Sequence, residues 1–583
     1  MIFMKRTVTK IVSVILCLVM VFSIMGTAAS ARKDENGTTV YRDLLLGIDK
    51  VAVTTDVFKG MEDLSQSGAL GNNIMKVLYN LLNILVENLL RDIVRITPDP
   101  RDWQKIKDYS AEDAAFLAGR DTYQTTAKEG NHWTLGYSSR SFVPEDIGEG
   151  RYYIGRDVKP RIAKDVYDDN RVRVCVIDDN SGEGAEVFGA IDSLGVTSTD
   201  IRAIRKGVLE YCESRGIKVA SIDIASTHAH TALDTQGVGT AFFYKLFLGG
   251  LANIFPFLYK LPFLQDSNDF KEYFIEQSII ACEEAFEDME DGKLFYAPID
   301  ARHYMHDKRD LIAQEDLPMM AGLKFVPDSG SEPTFITEVG CHPTSFGADS
   351  LLVSSDYIYY LDNYIREKTG GNTIIVQGAL GQVSRENINE SYEGLDEWQS
   401  LGEESKVYGE IYADLIISAD YATELEPILN VKHKEIWLHS ENTLLVLACE
   451  VQLVNNKVYY REDGQPVMAS EVGYLEFGHK VGFAMFPGEF YPETFWGTDI
   501  QGNVSWDGEE WNYPSMHNSV IDVEVYPMSL TNDATGYVVP DNYFAYMGHI
   551  AGEGIADELL SVGKHEASFL LDEYLDLVKS YCR

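Results

Sequence analysis

The chain has 583 residues, 45% of them hydrophobic, and a formal net charge of −42 from 91 acids against 49 bases. A charge of that size and sign repels nucleic acid and anionic membrane, and neutral or cationic partners fit. The length exceeds one ordinary core and admits one large domain or two. At the N-terminus, Lys5, Arg6 and Lys10 precede the apolar run Ile11 to Ile24, and Ala29-Ser30-Ala31 follows it. This layout predicts a secretory signal peptide over residues 1–31, cleaved near Ala31, and hence an extracellular protein. The rest of the chain offers no stable membrane span. Six cysteines lie beyond it (Cys175, Cys212, Cys282, Cys341, Cys449 and Cys582), with no Cys-x-x-Cys pair. They specify neither a cysteine metal site nor a disulfide framework and are expected to be buried thiols.

Residues 32–110 form an N-terminal extension with helical character. Apolar residues at helical spacing run from Asn73 to Val94, interrupted by Asn80, Asn83, Glu87 and Asn88, and Pro98 and Pro100 end the pattern. The main domain, residues 111–583, opens near Ala115. Arg171 to Ile177 alternates as a strand does. Ser198 or Thr199 caps a helix toward Ser214 with Gly216 as its stop, and Ile217 to Ala225 is the next strand. His228-Ala229-His230 lies just past that strand, where α/β proteins commonly place chemistry. The same rhythm recurs in Thr334 to Val339 (strand), Asp356 to Lys368 (helix), Gly370-Gly371 (stop), Asn372 to Gln377 (strand) and Val481 to Phe486 (strand). Leu444 to Val454 reads as an antiparallel strand segment. The fold class expected is therefore mixed α/β, a β-sheet-containing domain surrounded by helices.

Ala241 to Leu264 (AFFYKLFLGGLANIFPFLYKLPFL) stands apart by composition. Its Gly-Gly, Pro and Lys breaks argue against a membrane span. It is either a buried helical hairpin or a lid or wall of a lipid-sized pocket.

A His-x-His pair after a strand either aims two imidazoles at one metal or is a chance spacing that needs none. The words around it resemble a known family. Ser226-Thr227-His228-Ala229-His230-Thr231, the stretch 341–357 (CHPTSFGADSLLVSSDY), Gln377 to Ser384, Pro487-Gly488-Glu489-Phe490 and Leu530-Thr531-Asn532 to Gly536-Tyr537 are similar, in order, to five motifs of the neutral, non-lysosomal ceramidases. The resemblance implies a secreted zinc-dependent amidase acting on an N-acylated lipid such as ceramide, with Zn²⁺ ligands His228, His342, Glu489 and Tyr537. Two imidazoles, a carboxylate and a phenolate suit Zn²⁺ and leave room for water. Tyr543 and Tyr546 lie close to Tyr537 and compete with it as fourth ligand. The resemblance further makes His230 a general acid/base or oxyanion donor beside the metal. Ser384 becomes the active-site serine, which polarises, positions or attacks the amide. Arg302 either holds substrate or an oxyanion, or forms a surface salt bridge with Asp300 or Asp307.

The chain departs from the family in three places. The Gly-Pro-Gly-Gly stretch after the His pair is here Ala232-Leu233-Asp234-Thr235-Gln236-Gly237, and Gly-Asp-Val-Ser-Pro-Asn is Gly381-Gln382-Val383-Ser384-Arg385-Glu386-Asn387. The family's C-terminal immunoglobulin-like domain has no counterpart after Tyr537. The metal site thus transfers better than the substrate. The apolar segment 241–264 is the expected holder of an N-acyl lipid. The alternatives are hydrolysis of another amide or an ester on the same scaffold, and a secreted binding protein without catalysis. Retention of all four ligands argues against the last.

Overall fold

The computed structural model describes residues 63–85 and 115–582, with breaks at 151, 156–160, 239–267, 310, 347–349, 387–396, 451–453, 462–463, 498–504 and 547–556, and the short antiparallel pair Ala31–Lys33 with Thr39–Tyr41. The expected signal peptide and the apolar run 241–264 lie outside the described residues.

Two sheets pack face to face. The larger has nine strands, among them β1 (Trp133–Ser141), β2 (Arg171–Asp178), β3 (Ala185–Ile191), β4 (Val219–Ser226), β5 (Glu290–Ile299), β6 (Met320–Pro327), β7 (Thr334–Val339) and β8 (Asn372–Gln377). Their spatial order is β8-β7-β6-β5-β1-β2-β3-β4. The outermost pairs, β7–β8 and β3–β4, are parallel, and the inner ones antiparallel. The smaller sheet runs β9 (Leu429–His439), β10 (Pro466–Phe477), β11 (Val481–Met485) and β12 (Glu524–Met528) in that order, with β11–β12 parallel. Trp133, Phe188, Leu323 and Phe325 of the first sheet meet Leu475, Phe477, Phe483 and Met485 of the second in one core. Each such large side chain contributes about 1.5–3 kcal/mol on burial.

Helices cover the outer faces. α1 (Ala69–Leu85) begins four residues before the expected Asn73–Val94 helix, and residues 86–94 of that expectation lie outside the described residues. α2 (Ser198–Arg215) and α3 (Asn268–Glu287) pack on β2, β3 and β4. α4 (Tyr357–Thr369) and α5 (Glu397–Ser418) cover β7 and β8. α6 (Glu566–Tyr581) lies on the second sheet. The mixed α/β expectation holds, as a helix–sheet–sheet–helix stack. Gly216 (φ 69°) and Gly370 (φ 73°) end α2 and α4 in the left-handed conformation that a Cβ disfavours. Asp356 caps α4 by accepting from the Tyr357 N–H.

One element differs from expectation. Thr443–Glu450 is a helix, not a strand. Asn442 starts it, its Oδ1 accepting from the Leu445 N–H at 3.2 Å and its carbonyl from the Val446 N–H at 3.0 Å. The segment is continuously apolar rather than alternating, so it carried no period-2 signal to support a strand. The six cysteines are unpaired, and five of them are buried, as expected.

The two parallel edges of the large sheet meet each other. Gln377, at the end of β8, donates from Nε2 to the Thr227 carbonyl past the end of β4, at 2.7 Å. The Ser529–Asn532 segment runs through this junction. The Ser529 N–H donates to Gln377 O, the Ser226 N–H to Leu530 O, and the Asn532 N–H to Ile224 O, at 2.9–3.0 Å. The C-terminal ends of β4, β7, β8, β11 and β12 thus gather at one place, and each leads into one of the sequence motifs.

Candidate metal centre

β4 delivers His228 and His230. His228 sits at φ 62°, a left-handed conformation that costs a non-glycine residue about 1–2 kcal/mol. Asp356 (55°), Gln382 (59°), Leu530 (50°) and Asn532 (62°) also have positive φ, all of them within the motif loops. Such concentration of backbone strain is a mark of functional sites. Three contacts hold the His228 turn. Its Nδ1 lies 2.7 Å from Leu194 O, the Thr227 N–H donates to Ile191 O, and the Arg161 guanidinium donates to His230 O at 2.6 Å and Gly155 O at 2.9 Å. Arg161 is fully buried, and no motif pointed to it.

β7 delivers His342. The His230 N–H donates to Pro343 O at 3.2 Å, which ties the two histidine loops together. Val383 O accepts from both the His342 N–H (3.1 Å) and Nδ1 (2.8 Å), so Ser384 stands next to the anchor of this ring. The Val353-Ser354-Ser355-Asp356 stretch is a brace. Ser354 exchanges backbone and side-chain hydrogen bonds with Thr231, and Asp356 Oδ2 accepts from the Ser345 N–H at 2.6 Å.

β11 delivers Glu489, and the loop after β12 delivers Tyr537. The two residues pair side by side in a parallel two-residue ribbon, with the Glu489 N–H donating to Gly536 O at 2.7 Å. The glycine before each has a steric reason, the ribbon itself for Gly488 and the Leu560 carbonyl for Gly536. A Cβ on Gly488 would stand 2.5 Å from Gly536 O, and one on Gly536 (φ 95°) 1.8 Å from Leu560 O.

The side chains converge. Glu489 Oε2 lies 3.2 Å from His228 Nε2 and 3.1 Å from His342 Nε2, and His230 Nε2 lies 3.0 Å from His228 Nε2. Ligand atoms of the three imidazoles all fall within 4.8 Å of one another. Tyr537 stacks on His342 with ring centroids 6.4 Å apart and meets Tyr491 at the same distance. Tyr543 and Tyr546 instead pack with Met75 and Tyr79 of α1.

The donor set fits a cation. With Nδ1 of His228 and of His342 donating to backbone carbonyls, each Nε2 is left as a lone pair facing the Glu489 carboxylate. Two acceptors aimed at a third acceptor are mutually repulsive unless a positive charge lies among them. Burial alone would raise the Glu489 carboxyl, and protonated His228 and His342 beside it bring it down to about 2; with both imidazoles neutral, that stabilisation falls to a cation held among them. Burial lowers His342, which favours the neutral, ligating imidazole. The site can therefore hold a metal ion on nitrogen and oxygen ligands.

Sequence reasoning placed His230 beside the metal. The structure puts its Nε2 among the other two imidazoles, as close to them as a ligand. Ser384 is buried on a short strand, Val383–Arg385, paired with Met305–Asp307 and directly opposite His306. Arg302 is not brought into the group. Its guanidinium grips both oxygens of Asp300 at 2.7–2.8 Å and donates to Glu315 O at 2.6 Å. Of the two alternatives for Arg302, the salt bridge with Asp300 is the one present. A second buried group, Asp223, His433 and Glu471, lies behind β4, and Arg205 supplies its cation by donating to Glu471 at 2.8 and 2.5 Å.

No family model and no curated protein sequence matches the chain. Solved structures do match its fold. The neutral ceramidase from Pseudomonas aeruginosa superposes with a TM-score of 0.55 at 14% identity, over 78% of this chain and 76% of that one. A structure described as ceramidase complexed with C2 gives a TM-score of 0.54 at 14% identity, over 77% and 75%. At that identity the likeness is one of fold, and this chain has a fold similar to that of the neutral ceramidases.

Proposed function

We propose that the protein is a zinc-dependent amidase that cleaves the amide bond of an N-acylated lipid such as ceramide, releasing a fatty acid and an amine. One observation carries this reading. Three imidazoles, two of them buried and that of His230 part-buried, and the Glu489 carboxylate converge at the strand ends of a ceramidase-like fold, with acceptors facing acceptors. His228, His342, Glu489 and Tyr537 are the ligands of the proposed ion, Zn²⁺. When bound, Zn²⁺ would supply a water ionisable near neutral pH and a Lewis acid for the carbonyl. The remaining work falls to the chain. His230 moves the proton between the attacking water and the leaving nitrogen. Ser384, fixed next to the His342 anchor, orients the amide. The strained turn at His228, held by Arg161, keeps both imidazoles from relaxing away. The signal-peptide layout of residues 1–31 supports export, with cleavage near Ala31.

Metal analysis of purified protein, followed by chelation and restoration of Zn²⁺, tests this. About one Zn²⁺ per chain and reversible loss of N-acylsphingosine hydrolysis are expected. Hydrolysis that survives chelation sinks the mechanism, and metal content well below one per chain revives the non-catalytic binding protein.

A second reading keeps the metal chemistry and changes the substrate. Where the family has its glycine stretch, Asp234 Oδ1 here accepts from the Gln236 and Gly237 N–H groups, and Gln236 reaches Ala534 O. This closed turn beside the His pair favours a differently shaped acyl or amine group. Matched ester and amide substrates distinguish the two readings.

A further inference from the structure

α1 is inverted relative to a helix that merely packs on a domain. Of thirteen exposed large hydrophobic side chains among the described residues, seven fall between Leu64 and Ile84. Six of these, Leu70, Ile74, Val77, Leu78, Leu81 and Ile84, lie on α1 itself. At helical spacing they occupy an arc of about 120°. Scattered exposed leucines need no explanation, whereas a continuous stripe does.

The helix does not stand free of the body. On its inner side Met75 and Tyr79 enter a cluster with Tyr491, Val539, Tyr543 and Phe544, and Tyr537 packs against the same cluster. Asn72 exchanges hydrogen bonds with Phe544 O and the Tyr546 N–H, and Ser65 donates to Tyr546 O. The apolar stripe is thus the outer surface of the wall whose inner surface includes the tyrosine of the metal centre.

Charge selects the occupant. In a chain with 91 acidic residues, α1 has none, and Lys76 is its one charged residue. A second copy of this chain brings the same large negative charge and is repelled, and so is an anionic bilayer. A surface of uncharged or zwitterionic headgroups is not. An apolar face with uncharged amide flanks, here Asn73 and Asn80, suits insertion at such a boundary.

We propose that the outer face of α1 docks the protein on a lipid–water interface of zwitterionic headgroups, its inner face resting on the cluster against which Tyr537 packs. The choice of lipid over another apolar partner rests on the reading of the substrate given above.

The test is co-flotation of the full chain with phosphatidylcholine vesicles that contain no N-acyl lipid. Val77 and Leu81 are 58% and 56% exposed, so Val77→Glu/Leu81→Glu leaves the fold intact. That double variant is expected to lose at least tenfold in vesicle partitioning. Ile521→Glu, at an 83% exposed side chain outside the stripe, keeps wild-type partitioning. Hydrolysis of a short-chain, freely soluble N-acyl substrate is unchanged in both. Equal partitioning of wild type and double variant, or no wild-type binding, overturns the proposal. Light scattering that shows a wild-type dimer made monomeric by the double variant also overturns it, in favour of a second copy as occupant. If the soluble amide is not cleaved but vesicle binding still depends on the stripe, the amidase reading falls and the docking surface stands; the converse result separates them the other way.

Discussion

Asn532 provides a quantitative test of how the two sheet edges are joined behind the metal centre. Its side chain is fully buried, and it makes two bonds to β4. Oδ1 accepts from the Ile224 N–H at 3.0 Å, and Nδ2 donates to Asp223 Oδ1 at 2.7 Å. Asn532→Gly keeps the left-handed φ of 62° accessible and removes only the side chain. Losing a hydrogen bond to a charged acceptor costs about 1.5–3 kcal/mol, and stranding the buried Ile224 N–H about 1–3 kcal/mol more. The expected loss is about 2.5–6 kcal/mol, a large part of the 5–15 kcal/mol typical of a folded protein. Asn532→Ala adds about 1–2 kcal/mol, because alanine tolerates that φ poorly. Urea unfolding followed by far-UV circular dichroism reads both differences. The order wild type, glycine, alanine is expected in the midpoints. If Asn532→Gly lies within 1 kcal/mol of wild type, or alanine is the more stable variant, the junction is not held in this way.

Glu493 is buried, and neither carboxyl oxygen has a hydrogen-bond partner among the described residues. Burial, with Asp307 nearby, pushes its carboxyl up to about 8 from an ordinary 4.5. Below pH 4.5 both folded and unfolded chains keep this proton. Between 4.5 and 8 the unfolded chain releases it first, so stability drains away as the pH rises through that window. Glu493→Gln should therefore match wild type at pH 4 and melt higher at pH 9, and equal melting temperatures at pH 9 would refute the assignment. Gly536→Ala places a Cβ 1.8 Å from Leu560 O and should abolish soluble folded protein, as judged by gel filtration; a well-folded variant contradicts the geometry. Arg161→Lys gives up the two-carbonyl grip and should lower metal affinity about 10–100-fold in competition with a chelator. Arg302→Ala, which breaks a partly exposed ion pair, should change stability by less than about 1 kcal/mol and leave kcat/KM near wild type; a hundredfold drop would return Arg302 to the catalytic group.

What could be read from the sequence was local. β8 and β11 announce themselves by the apolar runs Ile374 to Val376 and Val481 to Met485 of strands buried on both faces, β4 and β7 less so because Ser221, Asp223, Thr337 and Glu338 interrupt them, and Gly216 and Gly370 mark helix ends because few other residues adopt their φ. The His228, His342 and Glu489 motifs follow strand ends, and the three side chains are in contact. The joints between distant segments were not legible. Arg161 meets His230 through a backbone carbonyl, which leaves no residue-type signature near either partner. Asn532 meets Asp223 across more than 300 positions. The strand order depends on packing of two faces at once, and Thr443–Glu450 is a case where an apolar run fits helix and strand equally until Asn442 starts the helix.

The Glu489–Tyr537 ribbon has a bearing on how the protein is made. His228 leaves the ribosome more than 300 residues before Tyr537, and Glu489 gains its backbone partner only when Gly536 arrives. The earlier loops cannot present a complete coordination set to a passing ion, because the last donors are locked together by each other. Under the proposed zinc reading, metal capture would then follow completion of both sheets, and a chain cut short before the ribbon would be spared a misplaced ion at its histidines.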